Sequence, residues 1–168
     1  MITKCDMMGV LLDACPSFRP TWEAWLAEWA EPADDRPLYL ALAEFARHLI
    51  GMLERGEAAD FPAVFGAVER LQAEGEHYVR EAAIVGLLED LQNLNLHAGG
   101  TEPEQFRPFL GPESAAAWDE LYVLWHNVGV LKAAGLLEPT PGPTPMVDPT
   151  TIQDPELRRV VQHVYRRG

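Results

Sequence analysis

The sequence predicts an all-α protein: a compact bundle of about seven or eight helices, then a Pro-rich linker and a C-terminal helix. Three observations carry this reading. Apolar residues recur at three- and four-residue spacing through most segments. No period-2 alternation bounded by hairpin turns is present. Gly or Pro punctuates the chain where the helical periodicity stops. At 168 residues and 48% apolar content, the chain is long enough to bury a core of its own.

Taken in order, Pro16 stops a first helix over about residues 2–14. Thr21 opens a short second helix, TWEAWLAEWA. Pro37, tolerated in a first helical turn, starts PLYLALAEFARHLIGMLERG, which Gly56 terminates. Asp60 caps FPAVFGAVERLQAEG, ending at Gly75, and the next helix runs over about 77–96 to the Gly99–Gly100 pair. Thr101 and Glu104 have the spacing of a capping box for a short helix that ends at Gly111. Pro112 then opens a helix over about 113–134, stopped by Gly135. Residues 138–155, EPTPGPTPMVDPTTIQDP, hold six prolines, which fix φ and remove backbone donors, so this stretch is extended. Asp154 and Pro155 cap a last helix, ELRRVVQHVYRR. The organisation is thus an acidic helical domain (1–138), a Pro-rich linker (139–153) and a basic amphipathic C-terminal helix (154–168).

Residues 61–93, FPAVFGAVERLQAEGEHYVREAAIVGLLEDLQN, place a helix and a tight turn before Val79-Arg80. Ala82, Ala83 and Gly86 follow at helical spacing, small enough to let a neighbouring helix approach closely. This stretch resembles one HEAT unit; no second copy recurs at a fixed period, which favours a compact HEAT-like helical bundle over a long solenoid. Over about residues 11–125, LLDACPSFRPTWEAWLAEW, FARHLIGMLERGE, the stretch just quoted and FLGPES…WDEL resemble a family of small, uncharacterised bacterial proteins. The resemblance implies an all-helical single domain and brings no catalytic residues.

The formal net charge is −13. Residues 1–138 carry 23 acidic and 9 basic side chains, and residues 139–168 carry 3 acidic and 4 basic. A field of that sign repels phosphate backbones and anionic lipid, and it attracts basic partners. Cys5 and Cys15, about 15 Å apart along one helix, are too distant for a disulfide and read as buried thiols of a reducing compartment. Asp6 and Asp13 interrupt the first apolar run, which excludes a signal peptide, and no segment is long enough to span a membrane. The expected location is the cytoplasm.

Motifs for chemistry are sparse. There is no Gly-x-Ser-x-Gly elbow and no phosphate-binding glycine loop, and Ser17 and Ser114 sit where turns and caps need them. Glu44/His48 and Glu74/His77 have metal-ligand spacings, but a di-metal bundle needs its Glu-x-x-His motif twice, so no metal or cofactor is expected. Trp22, Trp25 and Trp29, and again Trp118, Leu121, Tyr122 and Trp125, form aromatic stripes read as core-facing, with a binding wall as the alternative.

These features fit a non-enzymatic protein-binding module, immunity- or antitoxin-like, that meets a basic partner through acidic helix-turn loops. The candidate residues are Glu28, Glu31, Asp34, Asp35, Glu54, Glu57, Asp60, Glu74 and Glu76. Leu157, Val160, Val161 and Val164, flanked by Arg158 and Arg159, would dock the tail helix on an acidic-rimmed apolar groove of its own body or of a second copy. Two other classes also fit: a small enzyme or ligand-binding bundle with an aromatic-lined pocket, and a structural homo-oligomer joined by the tail.

Overall fold

The computed structural model describes residues 1–29 and 36–133. Within them the chain is all-α, with seven α-helices and short 3₁₀ stretches. The helices are α1 (Lys4–Ala14), α2 (Arg19–Glu28), α3 (Leu38–Glu54), α4 (Phe61–Glu74), α5 (His77–Glu81), α6 (Glu89–Gln92) and α7 (Pro112–Ala133). A π-helical stretch, Ala82–Leu88, joins α5 to α6 without a break, so residues 77–92 form one continuous rod. The linker, the tail helix with Leu157, Arg158, Arg159, Val160, Val161 and Val164, and the loop residues Glu31, Asp34 and Asp35 lie outside the described residues.

Amphipathic periodicity builds the core. On α3, Leu38, Ala41, Leu42, Phe45, Ala46, Leu49 and Ile50 are buried, and on α4 so are Phe61, Val64, Phe65, Val68 and Leu71. Both sets repeat at i, i+3, i+4 and i+7, one face of a helix. Each large side chain so buried contributes about 1.5–3 kcal/mol. The first tryptophan stripe turns inward as read: Trp25 and Trp29 are buried, Trp22 is half-buried, and the three rings stack at 5.1 and 5.8 Å. Cys15 is buried, whereas Cys5 is exposed. One face of α1, with Met7, Met8, Leu11 and Leu12, turns to the core, and Cys5 falls on the other, wet face.

The rod of residues 77–92 is the hub: it packs on α3, α4 and α7, while α1 packs on α4 and α2 on α3. Its contact face is the small-residue set Ala82, Ala83 and Gly86, all buried. A Cβ on Gly86 would lie 2.9 Å from Leu42 Cδ1 and 2.9 Å from Tyr39 Cδ1, inside van der Waals contact. The absence of a side chain there is what lets α3 come so close.

Two caps differ from expectation. Asp60 stands at the N-cap position of α4 but makes no side-chain capping hydrogen bond. The anticipated box on Thr101 and Glu104 shifts by one residue: the Glu102 amide donates to Gln105 Oε1 at 2.7 Å, and Pro103–Phe109 follows as a 3₁₀ stretch. Thr101 is engaged elsewhere, its hydroxyl 2.9 Å from Nδ1 of buried His97, whose Nε2 lies 2.9 Å from the Leu91 carbonyl oxygen. At the start of the chain, Lys4 N donates to Glu76 Oε1 at 2.8 Å, and Ile2 pairs with the backbone around Gly75. The α4–α5 turn thereby holds the N-terminus of α1.

The N-terminus of α7 is held from α4. Glu69 accepts from the Glu113 amide (2.7 Å), the Ser114 amide (3.0 Å) and the Ser114 hydroxyl (2.7 Å), and Gln72 Nε2 donates to the same hydroxyl at 2.6 Å. Gly111 makes room, since a Cβ there would lie 2.5 Å from the Glu69 carboxylate carbon. Burial pushes the Glu69 carboxyl up, but these three hydrogen bonds outweigh it and hold it below its ordinary value.

Two stability measurements check this description. Gly86→Leu should destabilise the fold by about 1–3 kcal/mol in chemical denaturation, through overpacking against α3; an unchanged midpoint would place Gly86 in solvent. Glu69→Gln should cost about 1–2 kcal/mol at neutral pH. A depressed carboxyl stabilises above its unfolded value and loses that contribution as pH falls through the folded one. The gap between wild type and Glu69→Gln should therefore close on acidification, and a gap independent of pH would show that the charge is not the cap.

Candidate functional site

The inward stripe of α7 is Ser114, Ala117, Trp118 and Leu121, all buried. Past Leu121 the helix leaves the body. Tyr122 (61% exposed), Val123, Leu124 and Trp125 (48% exposed) stand in solvent, as does Leu94 (72% exposed) on the turn after α6. The second aromatic stripe therefore divides, Trp118 and Leu121 entering the core and Tyr122 and Trp125 lining a surface. The sequence carried a sign that not all of these residues face the core, though none of where the stripe divides. Tyr122, Val123, Leu124 and Trp125 are consecutive, and at about 100° per residue four consecutive positions cannot share one face.

Two adjoining hollows lie along this surface. One, of about 400 Å³, is lined by Trp118, Tyr122, Trp125, His126, Leu94, Gln92 and Pro103, with Glu102 and Glu104 at its edge. The other, of about 550 Å³, is lined by Glu89, Asp90, Gln92, Asn93, Leu94, Asn95 and Trp125. They share Gln92, Leu94 and Trp125, so together they form one groove with carboxylates in both halves. Its floor is fixed from two sides: Gln92 Nε2 donates to the Trp118 carbonyl at 2.7 Å, and Trp118 Nε1 reaches Glu104 Oε1 at 3.4 Å.

The carboxylates differ in their compensation. Arg107 sits 3.8 Å from Glu104 and 2.7 Å from Asp119. Burial raises the Glu89 carboxyl, and the neighbouring Asp90 charge adds to this. Burial raises Asp90 as well, with Arg47 acting in the opposite direction. Two adjacent, half-buried acids that resist ionisation are a place where an incoming cation gains more than it would at a solvated acid.

The acidic loop residues chosen from sequence are dispersed. Glu54, Glu57 and Asp60 cluster before α4, and Glu74 and Glu76 after it, so the length of α4, about 21 Å, separates the two groups. Glu57 pairs with Arg55 at 2.8 Å and Glu74 with Arg70 at 3.4 Å. Glu76 caps α1, and Glu28 is exposed at the end of α2. None of these lines the groove. Glu89, Asp90, Glu102 and Glu104, absent from that choice, do.

A second constellation was hidden by sequence distance. Ser17 Oγ lies 2.9 Å from His48 Nε2, 3.4 Å from Cys15 Sγ and 3.8 Å from Met52 Sδ. Burial, with the nearby Arg55 charge, holds the His48 imidazolium below its usual value, and the ring packs against Phe18. The pair has the distance of a nucleophile and its base, yet neither half of the groove reaches it. Glu44 pairs with Arg47, and His77 lies 3.7 Å from Glu81, not beside Glu74. Among the described residues no three His, Cys, Asp or Glu side chains converge as metal ligands would, and no helix is long and apolar enough to cross a membrane.

The fold and the groove define an all-helical domain with an aromatic and acidic surface groove. Residues 8–126 match the domain of unknown function DUF7674, and the chain belongs to that family. Every residue lining the groove lies within the match. No curated protein and no solved structure matches the chain.

The division of the stripe has a direct test. Trp118→Ala should cost about 3–5 kcal/mol of stability as a buried aromatic truncation, and Trp125→Ser should stay within about 0.5 kcal/mol as a surface change. Comparable losses in thermal or urea denaturation would mean that Trp125 is part of the core.

Proposed function

We propose that this domain is a non-enzymatic protein-binding module of the bacterial cytoplasm, and that it binds a basic amphipathic helix in the α7 groove. The observation that carries the reading is the exposed run Tyr122–Trp125, with Leu94 beside it and carboxylates in both halves of the groove. A contiguous apolar surface rimmed by polar groups marks an interaction site. Tyr and Trp are the side chains that most often dominate binding energy at interfaces. A groove that continues across Trp125 suits the apolar stripe of a helix, with flanking Arg or Lys meeting the carboxylates and the aromatic faces. Inhibition of a basic enzyme, as by an immunity protein, is one form of this activity. The pairing of α4 with α5 agrees with a HEAT-like arrangement, in which helix faces commonly serve as binding surfaces.

The test is a titration of the full chain with a fluorescein-labelled 18-residue Leu/Lys amphipathic helix, followed by anisotropy. Binding should weaken at least about tenfold with Trp125→Ser and fall with added salt. It should also fall as pH drops through the raised values of Glu89 and Asp90, because a bound cation favours their ionised forms. The absence of binding at millimolar protein, or binding indifferent to Trp125, would sink the reading.

A further inference from the structure

We infer that residues 154–168 of this same chain fold back as a helix and occupy the α7 groove in cis, so that the module carries its own displaceable ligand. The inference rests on the groove being a docking face for basic helices, and it names the occupant.

Three complementarities support it. The first is spacing. Leu157, Val160, Val161 and Val164 stand at i, i+3, i+4 and i+7, one compact apolar stripe, and the groove offers the exposed Leu94, Tyr122 and Trp125 to such a stripe, Trp118 and Leu121 being buried in the core. The tail stripe spans about 10 Å of helix axis, or two turns. The second is charge. On a helix drawn at about 100° per residue, Arg158 and Arg167 flank the apolar stripe on opposite sides. The groove offers Glu89 and Asp90 in one half and Glu102 and Glu104 in the other, on either side of the shared Leu94 and Trp125. The basic excess of the chain lies after residue 138 and the acidic excess before it, so the sequence itself separates ligand from receptor.

The third is reach. Residues 134–153 lie between α7 and the tail segment. If extended at about 3.1 Å per residue they span up to roughly 60 Å. The return from Ala133 to the level of Trp118 is about 22 Å along α7. The connection is therefore long enough to bring the tail back along the helix from which it departs. Tethering at this length places the tail at an effective concentration of order millimolar, which favours the intramolecular complex over a second copy. An external basic helix must then compete with the tail, and that makes the domain selective for ligands that outcompete it.

The experiment compares full-length wild type with full-length Val160→Asp/Val161→Asp, whose changes lie on the tail stripe and outside the described core. The probe is a fluorescein-labelled peptide of residues 154–168, read by anisotropy, with far-UV circular dichroism confirming equal helix content in the folded domain. The variant should bind the probe at least about tenfold more tightly than wild type, because its groove is vacated. Adding Trp125→Ser to the variant should abolish the gain. Equal binding by wild type and variant would overturn the tail as occupant while leaving the groove a docking site for basic helices. No binding by either would overturn both. Light scattering supplies a last check: wild type should be monomeric, and a dimer that dissociates in the variant would assign the groove to a second copy.

Discussion

The Glu69 carboxylate, projecting from α4, receives the first amides of α7 and the Ser114 hydroxyl, and the position of the longest described helix follows from this contact. A helix N-terminus offers unsatisfied amides and a partial positive charge, so an anion from a neighbouring helix both caps it and fixes its origin. Gln72, one turn further along α4, holds the same hydroxyl. With its start fixed there and its Trp118 carbonyl held by Gln92, α7 lies over α4 and the rod of residues 77–92 for two turns and then runs past the body. The groove exists because that overhang keeps its aromatic side chains.

The rod beneath it depends on small side chains. Ala82, Ala83 and Gly86 let the rod approach α3 closely, and the same rod also packs on α4 and α7. Where the π-helical stretch ends, Glu89 and Asp90 emerge half-buried on the groove side. π-Helical turns often accompany functional sites, and here one delivers two adjacent carboxylates to the edge of an apolar surface. Partial burial of paired acids costs stability in the free domain, and a bound cation relieves that cost.

The net charge of the chain is thus a poor guide to where it acts. Three of the acidic loop residues serve local ends: Glu57 and Glu74 pair with neighbouring arginines, and Glu76 caps α1. Surface pairs of this kind contribute little and are screened by salt. The proposed function instead gives weight to the carboxylates set beside exposed aromatic rings. The Ser17–His48 contact gives a second example of proximity created by packing, with α3 bringing an imidazole to a turn 31 residues earlier.

Helix content, the order of the helices and much of the core were legible in the sequence because they follow from local rules. Periodicity marks the buried faces of α3 and α4, and Pro16, Gly56 and Gly75 stand at the ends of α1, α3 and α4, whereas the helix read over about 77–96 ends at Gln92. The close approach at Gly86 was also legible, since only small residues recur on that face. Its partner, α3, was not. The capping of α7 by Glu69, the division of the second aromatic stripe and the assembly of Glu89, Asp90, Glu102 and Glu104 around Trp125 were decided by tertiary structure alone. Periodicity tells which residues share a helix face; it does not tell how far along that face a neighbouring helix extends. Leu121 is covered and Trp125 is half-uncovered on the same stripe because the body beneath α7 ends between them.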